Sequence, residues 1–505
     1  MRTLYRASRV RTLSSPQAGE WVLVDGRHVE RVGTGEPPAA DRVVELPGAT
    51  IVPGFVDAHV HLTGTGIHHQ APEVGRARSA EELLGALRAL VRRRTGPTLV
   101  HGYDESRWAR REPPGIAELD AVSERPLAVV RVDGHLSLAN AAALAAAGLG
   151  PGLPGVELDA DGRPTGVLRT EANAALQRWF TEHVSEHDLE ELQLSAAALA
   201  ASLGVTTVHE MSLVEQRGTR ELEVLLAQRQ RLPVDVVVYV GTTDISLAID
   251  LGIPRVGGDL PVDGSIGART ACLREPYRDA DHAGVAYLDE DALASFFHDG
   301  HLAGLQVGVH AIGDAAIARV VGAWERVYRA LDSRGRRHFR ARRHRIEHME
   351  MVDAELIERA AHLGLAASVQ PSFDAAWGGP GGLYEQALGP ERAAAMNPFR
   401  TILARGMEMG AGSDSPITTI DPMAGLLAFE RHHDPAERLT REQAVRVSTV
   451  GSARLAHQEG KKGALEPGAH ADLVAYPADP LDPEVDLEGL RPVLTVSLGR
   501  EVFAA

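Results

Sequence analysis

The feature that most constrains this chain is an alternation: through its middle, short apolar runs of strand character are separated by stretches patterned as helices. The runs occupy residues 51–61, 205–210, 234–240, 256–262, 305–310, 345–348, 365–370 and 409–414. Eight strands linked in this way predict an α/β fold, a barrel or a sheet. The helical stretches carry their own punctuation. Ser79-Ala80-Glu81-Glu82 is a capping box ahead of Leu83, Leu84, Leu87, Leu90 and Val91, which share one helix face. Ser185-Glu186-His187-Asp188 opens a second helix that stops at Gly204.

Two parts of the chain fall outside the alternation. Residues 62–204, between the first two runs, are too long for one crossover and hold strand-like runs of their own at 98–101 and 127–132. They read as an insertion after the first barrel strand, covering the barrel mouth. Residues 1–50 are β-rich and broken by turns such as Asp25-Gly26, and residues 461–505 resume that character. Chain ends often lie close together, so 1–50 plus 461–505 is expected to form one small β domain. Residues 51–460 then make the barrel and its insertion.

The chemistry gathers at strand ends. Asp57-Ala58-His59-Val60-His61 closes the first run. Residues two apart on a strand share a face, so His59 and His61 point together into the barrel. Two imidazoles held that way suit a divalent first-row metal. His310, His348 and Asp414 each end a further run. Barrel enzymes build their sites at the carboxyl ends of the strands. Five ligand-type residues at such ends predict a metal centre.

Composition narrows the partners. Lys+Arg 52 against Asp+Glu 69 gives a net charge of −17, which argues against nucleic acid and against an anionic membrane surface. The basic run at 334–345 reads as a solvated face. A single cysteine, Cys272, excludes an internal disulfide and any multi-cysteine zinc site, and suits a reducing cytoplasm. Met1-Arg2-Thr3-Leu4-Tyr5-Arg6 lacks the apolar core of a secretion signal, and the alanine-rich stretch 194–208 falls short of a bilayer span. The expectation is a cytoplasmic protein acting on a small-molecule substrate.

Across essentially its whole length the sequence resembles the amidohydrolase superfamily, in its amidohydrolase-3 branch, which includes the N-substituted formamide deformylases. The matching stretches include Val52-Pro53-Gly54-Phe55-Val56-Asp57-Ala58-His59-Val60-His61, Asp263-Gly264-Ser265-Ile266-Gly267-Ala268-Arg269, His310-Ala311-Ile312-Gly313-Asp314, Arg345-Ile346-Glu347-His348 and Gly412-Ser413-Asp414-Ser415-Pro416. The resemblance implies a (β/α)8 barrel with a terminal β-sandwich and one or two metal ions, usually zinc. It implies His59, His61, His310, His348 and Asp414 as ligands, and a homodimer as a family-level expectation.

One departure matters. Two-metal relatives often bridge the ions with a carbamylated lysine, and the matching position here is Asp259. An aspartate is already a carboxylate, but its side chain is several ångströms shorter. Either Gly257-Gly258 brings Asp259 inward as a ligand, or the site holds one ion. The sequence favours one ion, bound by His59, His61, His310 and Asp414, with His348 acting on water or substrate. Zinc makes hydroxide available near neutral pH for attack on an sp² carbon, and Asp414 would carry the proton to the leaving amine. His135, His209 and Arg274 are the candidate substrate contacts. The expected enzyme is a metal-dependent hydrolase of non-peptide C–N bonds in amides, formamides or carbamate-like molecules. A ring deaminase using the same site is the alternative. A catalytically inactive scaffold would have lost ligands, and here all five are present.

Overall fold

The computed structural model describes residues 1–15, 19–92 and 96–505. Its centre is a parallel sheet of eight strands arranged in sequence order: Phe55–Val60, Val205–Ser212, Asp235–Val240, Arg255–Val256, Gln306–Ala311, Arg345–His348, Ala366–Val369 and Glu408–Ala411. The last strand returns to the first. Asp414 N–H donates to the His59 carbonyl at 2.8 Å and His61 N–H to the Ser415 carbonyl at 2.9 Å, which closes the barrel. Gly412 is required there, because a Cβ would stand 2.5 Å from the His59 nitrogen. Strands covered on both faces read as continuous apolar runs, and the first, second, fifth, sixth and seventh are buried at every residue.

Helices sheathe the barrel. Asp314–Ala330 turns Ile317, Val320, Val321 and Trp324 inward, and the Trp324 ring stacks on Phe297 with centroids 3.9 Å apart. The cap at Ser79 forms, its hydroxyl accepting from Glu82 N–H at 3.2 Å ahead of the helix Ala80–Val91. Ser185 likewise caps Glu186–Ser202.

The fourth strand departs from the expected run at 256–262. Only Arg255–Val256 pairs as a strand, and Gly257 and Gly258 follow with φ of +80° and +63°. Two successive left-handed residues cannot continue a pleat. The ladder resumes beyond them: His310 N–H donates to the Leu260 carbonyl and Val262 N–H to the His310 carbonyl, each at 3.0 Å. The intervening bulge throws Asp259 toward the barrel axis.

The stretch between the first two barrel strands carries a five-stranded sheet in the order Thr98–Tyr103, Leu127–Arg131, Leu136–Ala139, Pro164–Arg169, Val156–Leu158. It packs over its own core of Leu83, Leu87, Val100, Leu127, Val129 and Leu138. The turn between its second and third strands presents Asp133 and His135 at the barrel mouth. Both ends of the chain contribute to a third sheet of seven strands, in which Arg42–Pro53 lies between Arg2–Val10 and Leu473–Tyr476. That sheet curls until Val29 N–H reaches the Ala469 carbonyl at 2.8 Å, enclosing Tyr5, Val22, Ile51, Leu473 and Val496. Among the described residues, no helix is long and apolar enough to cross a membrane.

Candidate metal centre and active site

Six side chains converge at the carboxyl end of the barrel. His59 and His61 come from the first strand, Asp259 from the bulge, His310 and His348 from the ends of the fifth and sixth strands, and Asp414 from the turn after the eighth. Each histidine has one ring nitrogen committed outward. His59 Nδ1–H donates to Glu347 Oε2 at 2.8 Å, His61 Nδ1–H to the Met211 carbonyl at 2.9 Å, and His348 Nδ1–H to Gln370 Oε1 at 2.8 Å. His310 is turned the other way, with Nε2–H donating to the Gly264 carbonyl at 3.2 Å. These acceptors fix the tautomers and leave four nitrogen lone pairs facing inward.

The lone pairs meet two carboxylates. Asp414 Oδ1 lies 3.3 Å from His59 Nε2 and 3.2 Å from His61 Nε2. Asp259 Oδ1 lies 3.1 Å from His348 Nε2 and 3.2 Å from His310 Nδ1, and its Oδ2 lies 3.3 Å from His61 Nε2. Ligand atoms held about 2.0–2.1 Å from one tetrahedral zinc are about 3.3 Å apart, so these spacings suit shared coordination. His59 Nε2 and Asp414 Oδ1 are buried and have no hydrogen-bond partner. The donor set therefore fits divalent metal. Asp259 does not fall short: the bulge carries its carboxylate between the group His59, His61, Asp414 and the pair His310, His348.

The electrostatics agree. Burial disfavours a charged His61, yet Asp259 and Asp414 raise its pKa to about 9; His310 is likewise carried to about 9 against burial, chiefly by Asp259. Burial opposes ionisation of Asp259 and Asp414, but the surrounding histidines, His59 foremost, hold both below the usual carboxylate range. Without a metal, protons on the imidazoles balance the two carboxylates; a divalent cation supplies the same charge. The backbone is strained here, with φ of +69° at His348 and +53° at Asp414. Non-glycine residues in that region cost about 1–3 kcal/mol each, a strain that gathers at functional sites.

Beneath the site runs a charged column. Arg345, fully buried, grips Glu347 at 2.7 and 2.8 Å, donates to the Tyr239 hydroxyl at 2.9 Å and to the Ala58 carbonyl at 2.8 Å. Glu347 in turn orients His59. Residues 345 and 347 alternate in phase on a strand, so their charges share the inward face; that pattern is the signal by which sequence reasoning could have found them. Asp263 is a brace: its oxygens accept from Ile312, Gly313 and Cys272 N–H at 2.8–3.0 Å, fixing the loop after His310.

Above the six lies a cavity of about 620 Å³. Its walls include Ile266, Phe373, Trp377, Leu383 and Ile417, together with Asp133, Glu350 and Tyr384. Phe373 stacks on His348 with rings 5.8 Å apart and 12° from parallel. Tyr384 donates to Glu350 at 2.6 Å, and burial raises the Glu350 pKa to about 7. His135 lines the cavity, its ring 5.6 Å from that of His310, and burial lowers its pKa to about 4. The other two expected substrate contacts lie elsewhere. His209 is sealed inside the barrel, where its Nδ1 accepts from Arg345 at 3.1 Å. Arg274 is half exposed and pairs with Asp353 at 3.3 Å, outside the cavity lining. Strand periodicity gives the direction of His209 but not its depth.

The comparisons with known proteins converge. The family that matches is described as the amidohydrolase family, over residues 42–503. YtcJ of Bacillus subtilis (strain 168) is 28% identical over 493 residues, covering 91% of this chain and 90% of YtcJ. The N-substituted formamide deformylase of Arthrobacter pascens is 24% identical over 515 residues, covering 94% and 93%. An uncharacterized metal-dependent hydrolase from Pyrococcus furiosus superposes with a TM-score of 0.75 at 27% identity, over 95% of this chain and 100% of that one.

Proposed function

Because the chain belongs to the amidohydrolase family and is a metal-dependent hydrolase, we propose that it cleaves a non-peptide C–N bond of a small amide, formamide or carbamate-like substrate, using zinc. The reading rests above all on Asp259, whose carboxylate faces His59, His61, His310 and His348 together. On that ground the proposal is two ions: His59, His61 and Asp414 would hold one, His310 and His348 the other, with Asp259 between them. Bound zinc supplies a water of pKa near 7 and a Lewis acid for the substrate carbonyl.

The chain's own residues do the rest. Asp414 accepts the proton of the attacking water and returns it to the departing nitrogen. His135, uncharged at neutral pH, offers a hydrogen bond beside His310 without adding charge. Phe373, Trp377, Leu383 and Ile417 seat an apolar substituent and exclude bulk water. The sequence relationship to an N-substituted formamide deformylase favours N-substituted formamides as the first substrates to try. The test is elemental analysis of protein purified without chelators, together with assays for amine and acid release from such formamides and other small amides. The expected result is bound zinc and amine release. Absence of any transition metal, with no activity restored by added metal, would overturn the reading. Ammonia release from aminated heterocycles in place of amide cleavage would instead identify a ring deaminase.

A further inference from the structure

A second cluster of metal-ligating groups lies behind the cavity wall. Asp374 comes from the helix Pro371–Trp377, and His432 and His433 from the segment following Pro422–Glu430. One ligand atom from each lies within 4.8 Å of the others. His432 is fully buried and Asp374 nearly so.

The ring environments are the telling feature. His433 Nε2 stands 3.2 Å from the Ala394 carbonyl, an acceptor, so it carries a proton and Nδ1 turns toward Asp374 Oδ1 in close contact. His432 Nδ1 lies 3.1 Å from both the carbonyl and the N–H of Asp434, which hold the ring in either tautomer. Its Nε2 is buried, has no hydrogen-bond partner and lies 3.4 Å from the same Asp374 oxygen. Native structures seldom leave such an atom unsatisfied. A lone Asp–His pair would use one imidazole and leave the second unexplained. Two imidazole nitrogens braced from behind, with one carboxylate, make a donor set for a borderline divalent ion. The His432–Asp374 spacing of 3.4 Å is close to that around tetrahedral zinc, about 3.3 Å. The His433–Asp374 contact is that of a hydrogen bond and would have to open to admit the ion.

We propose that Asp374, His432 and His433 form a further divalent-metal site, distinct from the centre at the barrel mouth and of the zinc class. Binding would displace the proton between His433 Nδ1 and Asp374 to solvent and select the Nδ1–H form of His432, with water completing the coordination. Since Phe373 and Trp377 share the helix of Asp374, the ion would tie that cavity wall to residues 432–433.

The experiment is anomalous diffraction at the zinc edge from wild-type crystals soaked in zinc chloride, with zinc titration of the chelator-treated protein and of His433→Gln. The expected results are a peak bounded by Asp374, His432 and His433, and one equivalent fewer bound by the variant. A peak at the barrel mouth with none here would overturn this site and leave the proposed function standing. The reverse pattern would do the opposite. Equal stoichiometry in wild type and a folded variant would also refute the site, and the crystal readout decides should the variant not fold.

Discussion

Asp414 is held by its backbone as much as by its partners. A φ of +53° and a hydrogen bond from its N–H to the His59 carbonyl set its carboxylate against His59 and His61. Replacing it with asparagine keeps the shape and a weak ligand oxygen but removes the proton acceptor. Turnover of Asp414→Asn is expected to fall by about 10²–10⁴-fold with zinc content largely retained, measured as kcat beside elemental analysis. An unchanged rate at full occupancy would remove Asp414 from proton transfer. At this scale much of the arrangement was legible, because a histidine or aspartate at or just beyond the end of an apolar run is brought to the carboxyl end of the barrel. The left-handed backbone that aims His348 and Asp414 was not. What was hidden depended on depth and on distant partners. His209 shares the inward direction but lies under Arg345, and Arg274 is captured by Asp353. Nothing local in the sequence records either fact.

The bulge in the fourth strand is the element on which the metal count turns. A run such as 256–262 reads as strand whether or not it is continuous, since Gly257-Gly258 permits left-handed backbone without demanding it. The structure uses both residues that way. A Cβ at position 257 would sit 2.1 Å from the Gly308 carbonyl oxygen, a backbone atom with little room to move. Gly257→Ala is therefore expected to destabilise the protein by about 1–3 kcal/mol, from the left-handed φ alone, and to withdraw Asp259. Chemical denaturation would read the first effect and zinc stoichiometry the second, with a loss of at least one equivalent. Wild-type stability and metal content in this variant would show that the bulge does not govern the site. The helices were easier to foresee, because the caps at Ser79 and Ser185 are local chemistry between residues three apart.

At the scale of the whole molecule, the terminal sheet is fastened to the barrel. The chain passes directly from Arg42–Pro53 in that sheet to Phe55–Val60 in the barrel. Lys462, its side chain fully buried, binds Asp472 at 2.7 Å, Asp235 at 3.1 Å and the Thr207 hydroxyl at 2.9 Å, spanning both parts. The two parts should unfold as one calorimetric transition. Lys462→Ala, which leaves Asp472 buried without its cation, should lower stability by about 3–5 kcal/mol. Two separate endotherms in the wild type would contradict the coupling. The five-stranded sheet stands in a different relation to the barrel. It contributes Asp133 and His135 to the cavity from a turn outside the barrel ladder, whereas the six converging histidines and aspartates belong to the barrel's own strand ends and connections. Recognition is thus shared: the overhanging turn supplies Asp133 and His135, and the barrel's own connections supply Phe373, Trp377, Leu383 and Ile417. Changes in the overhanging turn can alter which molecules are admitted while the reacting groups keep their positions. Chains that share the six reacting groups residue for residue can therefore diverge in diet, and their substrates must be sought in what overhangs and walls the cavity.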